Sequence, residues 1–428
     1  MNEQFLSYLW KMRLYKPDAL ITTTGEPITV LAPGEAHHTS GPDFFNARIR
    51  IADTVWAGNV EIHVKASDWL KHHHQSDRAY QNVILHVVYE ADLPLTDANG
   101  VTLPTLELRN AFDPKLYRNY QLLLADTRWI PCEKLIHQID EFTLSNWIDR
   151  LMIERLEQKT QPMLQILEQN TWNWEETFFR FLARGLGAKA NAEPFEQLAA
   201  SLPILILAKH KDRLYQLEAL LLGQAGFLNN QHKDVYPQTL FKEYSFLQQK
   251  YNLTPLPPHI WKFGGLRPPN FPTLRLAQLA LLLHQSPNGL FSHILEGGDV
   301  AHYRKLLSVS PSDYWNTHYV IDKASKQTAK SLGNTAIDTI IINTIVPMMF
   351  VYGNQRNLPQ LKDKALQLLE QLEPEENSII DNWQQLNIKS ANAYHTQALL
   401  QLYNLYCKNK NCLNCAIGNK LLRKEVTF

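Results

Sequence analysis

Gly41–Lys65, GPDFFNARIRIADTVWAGNVEIHVK, is the stretch whose reading decides the fold. An acidic residue follows Pro42 directly. Phe45, Ala47, Ile49 and Ile51 then alternate with Asn46, Arg48 and Arg50, which predicts a strand. A turn is expected at Asp53–Thr54, then a second strand over Val60–Ala66. Period-two alternation puts Glu61, His63 and Lys65 on one face of that strand and Val60, Ile62 and Val64 on the other. Two strands joined by a short turn lie side by side, so Asp43 can approach Glu61 and Lys65. Carboxylates gathered in a cleft repel unless a metal or a lysine neutralises them. The plainer reading makes Asp43 a turn cap and Glu61 and Lys65 a solvated ladder. It leaves His63 without a role.

Pro42-Asp43 followed by Glu61-Ile62-His63 resembles the PD-(D/E)XK phosphodiesterase superfamily. The chain departs from that pattern at His63, where the family most often has lysine; Lys65, two residues on, faces the same way. The resemblance implies a nuclease-like domain with a mixed sheet and flanking helices, of α+β or α/β class, ordered αβββαβ. It also implies that Asp43 and Glu61 hold Mg²⁺ or Mn²⁺, hard ions suited to carboxylate oxygen. His63 or Lys65 would then orient water or stabilise developing charge. Some members of the superfamily add a carboxylate from the first helix, which Glu3 would supply. A first-turn Glu facing the helix dipole is the simpler reading.

The flanks are compatible with that order. Residues 2–15 predict a helix with Phe5, Leu6, Leu9, Trp10 and Leu14 on one side. Ile21–Thr24 and Ile28–Leu31 around Gly25–Pro27 predict a hairpin. Three consecutive histidines, His72, His73 and His74, cannot all point one way, so at most two share a ligand. A metal site and a solvated loop are equally compatible with them. Val83–Tyr89 is a continuous apolar run broken by His86 and suits a strand buried on both faces. His86 reads as a hydrogen-bonded core histidine. Asn99-Gly100 predicts a turn.

The 428 residues are enough for two domains. The 42 basic residues equal the 42 acidic ones, which argues against tight non-specific nucleic-acid binding but leaves room for a local basic groove. No signal peptide is legible at the start. The longest apolar run, Ala336–Tyr352, is interrupted by Asp338, Asn343 and Pro347, and predicts a buried helix kinked at Pro347 rather than a membrane span. A cytoplasmic protein without membrane partners is the expectation.

Asp113-Pro114 starts a helix, and Trp129-Ile130-Pro131-Cys132 marks a boundary. Residues 1–130 are therefore expected to form the nuclease-like domain. Residues 131–428 are expected to form a mostly α-helical domain, beginning with a long helix over Thr143–Gln169 and ending in a cysteine-rich segment. Trp261–Arg275 carries Lys262, Arg267 and Arg275 beside aromatic rings, a pattern suited to a nucleic-acid strand; a rigid proline-rich linker is the plainer reading.

Cys407-x4-Cys412-x2-Cys415 has the spacing that lets thiolates share one ion, and Cys132 is the only other cysteine. Four thiolates would close a zinc site or hold one iron–sulfur cluster. The one-plus-three arrangement resembles the cysteine clasp of RecB-type nucleases, although there the lone cysteine precedes the catalytic motifs. Over nearly the whole chain, GPDF…ARI, GNVEIH, SDW…HHH, WIPC, NFPTLRLAQLA and IIINTIVP resemble one uncharacterised bacterial family, a domain of unknown function. Three functions compete. The first is a metal-dependent phosphodiesterase acting on nucleic acid. The second is a non-catalytic nucleic-acid or protein-binding adaptor on a degenerate nuclease fold. The third is a metalloenzyme built on His63, His72, His74 and His86.

Overall fold

A computed structural model describes residues 1–37, 40–96 and 100–424. The chain divides into two compact units, Met1–Trp147 with Leu402–Phe428, and Ile148–Gln401. The division differs from the expected boundary near residue 130, and the cysteine-rich end belongs to the first unit. That end is tied back by side chains. The Asn119 amide donates to the carbonyls of Leu422 and Lys424, each at 3.1 Å.

The first unit is built on a mixed sheet. Helix α1 (Glu3–Lys11) is capped by Asn2, whose side chain accepts from the Phe5 amide. It buries Phe5, Leu6, Tyr8, Leu9 and Trp10 and packs on the central strand. The strands are β1 (Ile28–Ala32), β2 (Glu35–Ala36), β3 (Phe44–Ile51), β4 (Thr54–Lys65), β5 (Val83–Glu90) and β6 (Thr105–Glu107). Their order is β1-β3-β4-β5-β6, with β2 added on β3. β3 and β4 form an antiparallel hairpin, whereas β4–β5 and β5–β6 are parallel. A parallel pair needs a crossing segment. Residues 66–82 supply it, with one short helix, α2 (Asp68–Lys71), and two 3-10 turns. Helix α3 (Pro114–Ala125) follows, started by Asp113. The turn expected at Asn99-Gly100 falls partly outside the described residues.

The alternation in β3 holds from Ala47 to Ile51 and fails before it. Phe44 is fully buried while Phe45 is only half-buried. The register slips between Phe44 and Ala47, and Asn46 takes a left-handed φ of 57°. This bulge inserts an extra residue and turns the strand entry over. Strand β4 is buried on both faces from Gly58 to His63, so the face carrying Glu61 and His63 is an interior one.

The second unit is helical apart from a small hairpin, His318–Val320 with Lys323–Ala324. Its helices include Trp174–Leu186 and Pro272–His284. The apolar run forms Asn334–Gln355, the one described helix long and apolar enough to cross a membrane, and most of it is buried within the protein. A π-helical stretch, Ile341–Ile345, ends two residues before Pro347, the position where a kink is expected. Proline cannot donate its backbone N–H, and a widened turn absorbs the mismatch.

Gly58 lets β5 enter close beside β4. A Cβ there would lie 2.4 Å from Ile84 Cγ2 and 2.7 Å from the Asn82 carbonyl oxygen. Gly58→Ala is therefore expected to destabilise the protein by about 1–3 kcal/mol through overpacking, measured by urea denaturation.

Candidate metal centre

The bulge and hairpin bring Asp43 and Glu61 together. The Asp43 amide donates to Glu61 Oε2 at 3.1 Å, and the Ile62 amide donates to Asp43 Oδ2 at 3.0 Å. Each carboxylate thus closes on backbone beside the other. Glu61 is only 5% exposed. Burial, then the Asp43 charge, pushes its pKa up to about 8, with Glu3 adding to the rise and the Asp43 amide opposing it. At neutral pH the metal-free site therefore holds Glu61 protonated.

The other oxygen of Glu61 faces imidazoles. Glu61 Oε1 lies 3.6 Å from His63 Nε2 and 3.4 Å from His74 Nε2. His63 Nε2 lies 3.0 Å from His72 Nδ1. Single nitrogens of His63, His72 and His74 all fall within 4.8 Å of one another, which among the described residues is the one such group of metal-ligating side chains. His72 and His74 reach the same point because His73 between them adopts a left-handed conformation, φ 63° and ψ 25°, and is itself exposed. Two of the three consecutive histidines converge and the third serves as the bend.

Behind this group stands His86, fully buried on β5 in register with Glu61. Its Nε2 is 2.8 Å from His63 Nδ1. If His63 Nε2 binds an ion, Nδ1 carries the proton and donates to His86, the second hydrogen bond that orients metal-bound imidazoles. Burial, then neighbouring imidazoles, holds His63 and His86 down to about 3 and His74 down to about 4. All three are neutral, which leaves His63 and His74 available as ligands and His86 able to accept from His63. Tyr80 stacks on His74 at 3.7 Å between centroids, and Trp69 packs edge-on to His74 and tilted against His86.

Three imidazole nitrogens and a carboxylate oxygen form a donor set for a first-row transition ion rather than for Mg²⁺, which prefers oxygen throughout. Charge fits as well: with a divalent ion, the ionised Asp43 and Glu61 sum to zero. The sequence-expected residues Asp43, Glu61 and His63 are thus assembled. Lys65 is exposed at the end of β4, where its charge acts on Asp92. Glu3 stands at the rim, close enough for its charge to act on Glu61 and for His72 to act on it. Tyr80 was not singled out by pattern; its only sequence signal is its place after the histidine run.

The four cysteines are all buried in the first unit and unpaired. In the second unit the expected basic group is not assembled on the surface. Lys262 and Arg267 are exposed, whereas Arg275 is buried, donating to Gln278 Oε1 at 2.9 Å and Asn270 Oδ1 at 2.7 Å. Its guanidinium organises the start of its helix and the proline-rich turn before it.

Fold and site define a two-unit protein with a histidine–carboxylate cluster on its mixed sheet. The chain belongs to the family described as Protein of unknown function (DUF2851), whose match spans residues 3–378. That span includes the whole histidine–carboxylate cluster and Cys132, and ends before the three C-terminal cysteines. No curated protein and no solved structure shows significant similarity to the chain.

The pKa shifts set a pH profile. The three histidines have folded values below their ordinary 6.5, so their contribution is present above pH 6.5 and is lost on acidification towards 3–4. Glu61 has a folded value above its ordinary 4.5, so its contribution is present below 4.5 and is lost as pH rises through 8. Three groups outweigh one between 4.5 and 6.5, and Glu61 alone acts above. These four groups make the metal-free protein most stable near pH 6.5. Denaturation in chelator across pH 4–9 checks this, and a bound divalent ion should remove the alkaline decline.

Proposed function

We propose that the protein is a metal-dependent phosphodiesterase acting on nucleic acid, with Asp43, Glu61, His63, His72 and His74 around its ion. The observation that carries this reading is the interlock of Asp43 with Glu61. It joins the entry of β3 to the middle of β4, in a sheet that runs α1, β1 to β4, crossing segment and parallel β5, one short strand (β2) more than the αβββαβ order before the crossing. The departure at His63 is matched by a change of metal class. Imidazoles replace the lysine and more of the oxygen donors, and the centre shifts from Mg²⁺ towards first-row ions that accept imidazole nitrogen. When bound, such an ion polarises a phosphoryl oxygen and lowers the pKa of a water it holds.

The chain's own residues divide the remaining work. His86 fixes the His63 ring and its tautomer. Asp43 and Glu61 supply the negative charge that retains the ion, and their backbone hydrogen bonds hold them in place before it arrives. His72 is exposed, on the side from which substrate approaches. Burial, then the charges of Glu61 and Asp43, pushes Tyr80 up to about 12. Its hydroxyl therefore stays protonated and able to donate to a phosphate or a leaving oxygen.

A second reading, hydrolysis of a different substrate by a histidine metalloenzyme, draws on the mutual closeness of His63, His72 and His74, all within 4.8 Å of one another. Cleavage assays with Mn²⁺, Zn²⁺ and Mg²⁺ on single- and double-stranded DNA and RNA separate the two. Cleavage with Mn²⁺ that Asp43→Ala and Glu61→Gln abolish, while Lys65→Ala leaves it, is the expected result. Ion binding without cleavage of any nucleic acid would favour the second reading. His86→Ala should weaken metal affinity by about 10–100-fold through loss of the orienting hydrogen bond, read by calorimetric titration.

A further inference from the structure

We propose a second inorganic centre in the first unit, a [4Fe–4S] cluster held by Cys132, Cys407, Cys412 and Cys415. It is independent of the phosphodiesterase reading. The chain has four cysteines, and all four are buried and unpaired in the same unit, although Cys132 is far in sequence from the others.

Three contacts stitch the two segments that carry them. Trp129 stacks on Tyr403 with centroids 4.9 Å apart. Lys410 Nζ donates to the carbonyls of Leu124 and Asp126. The Cys132 carbonyl accepts from the amides of Leu135 and Ile136, each at 2.9 Å, which fixes the turn that presents its thiol. On the other segment, Gly418 passes so close to Cys412 that a Cβ would lie 2.2 Å from the Cys412 carbonyl oxygen. The helix Ala416–Arg423 begins directly after Cys415. Cys415 is the residue at the N-terminal end of that helix, where backbone N–H groups have no partner within the helix. Donors aimed at sulfur favour a thiolate and tune iron–sulfur centres.

The two cysteine-bearing segments therefore lie side by side: Trp129 and Tyr403, which stack on one another, stand about one helical turn before Cys132 and Cys407. All four thiols are buried there.

Spacing selects the group. Zinc–sulfur bonds of about 2.3 Å draw four sulfurs to within roughly 4 Å of one another. Among the described residues, the one set of three or more ligand atoms within 4.8 Å is the histidine set, so no three of these sulfurs are so close. In a cubane each thiolate binds a different iron, and the sulfurs stand further apart. Assembly from two ferrous ions, two ferric ions and four sulfides needs no net electron transfer. Each thiol gives up its proton to the solvent as its sulfur–iron bond forms. The cluster would fasten the chain's end to the loop after α3.

Full-length protein purified without oxygen, or reconstituted with iron and sulfide, is the test. A brown protein with about four irons and four sulfides per chain, a broad visible absorbance, and an electron-paramagnetic signal after dithionite reduction is the expected result. Cys132→Ser and Cys415→Ser should each lower sulfide to less than about one per chain, while His72→Ala should leave the sulfide content unchanged, which separates this centre from the sheet site. If the serine variants fail to fold, the iron and sulfide content of the wild type still decides. One zinc per chain without sulfide, or no metal after reconstitution, would overturn the cluster.

Discussion

Glu61 and His63 occupy the interior face of β4, and the first unit is arranged around the cost of keeping them there. An ionised carboxylate or imidazolium taken out of water loses its hydration, and the loss is recovered only with a partner. Three devices share that role. Glu61 binds the Asp43 amide and, without metal, keeps its proton. His63 stays neutral between His86 and His72. A divalent ion satisfies all of these groups together, because it replaces one proton on Glu61 and accepts lone pairs that otherwise face one another.

The architecture supplies the geometry. A parallel β4–β5 pair requires a crossing segment, and that segment brings His72, His74 and Tyr80 over the strand that carries Glu61 and His63. The same pairing sets His86 in register with Glu61. The bulge at Asn46 lets Asp43 meet Glu61 from the neighbouring strand. Non-glycine residues in the left-handed region cost about 1–2 kcal/mol, and both Asn46 and His73 stand there beside the site. Local strain at these two positions is tolerated where it aims functional side chains.

Much of this was legible in the sequence. The alternation in Gly41–Lys65 identified the hairpin and put Glu61 and His63 on one face. The unbroken apolar run through Val83–Tyr89 identified a strand covered on both sides. Steric reasoning limited the three consecutive histidines to two useful ones, and the left-handed His73 is how the chain obeys that limit. The bulge was not legible, because Phe45 continues the apolar alternation of Ala47, Ile49 and Ile51 in sequence, although the structure buries Phe44 in its place. Nor was the fate of Arg275, since a basic residue near aromatic rings reads the same whether it faces solvent or caps a buried turn. The unit boundary was missed for a related reason: the return of the chain's end to α3 is a long-range contact. Lys65 shares a face with Glu61 by periodicity alone, yet β4 ends there and leaves it in solvent.

The ion itself is the most direct target. A crystal soaked in Mn²⁺ and measured at the manganese absorption edge gives an anomalous difference map that locates it without reference to activity. A single peak among His63 Nε2, the nearby nitrogens of His72 and His74, and Glu61 Oε1, at bond distances of about 2.0–2.3 Å, is the predicted result. A peak elsewhere, or none with these side chains ordered as described, would contradict a metal centre on this sheet.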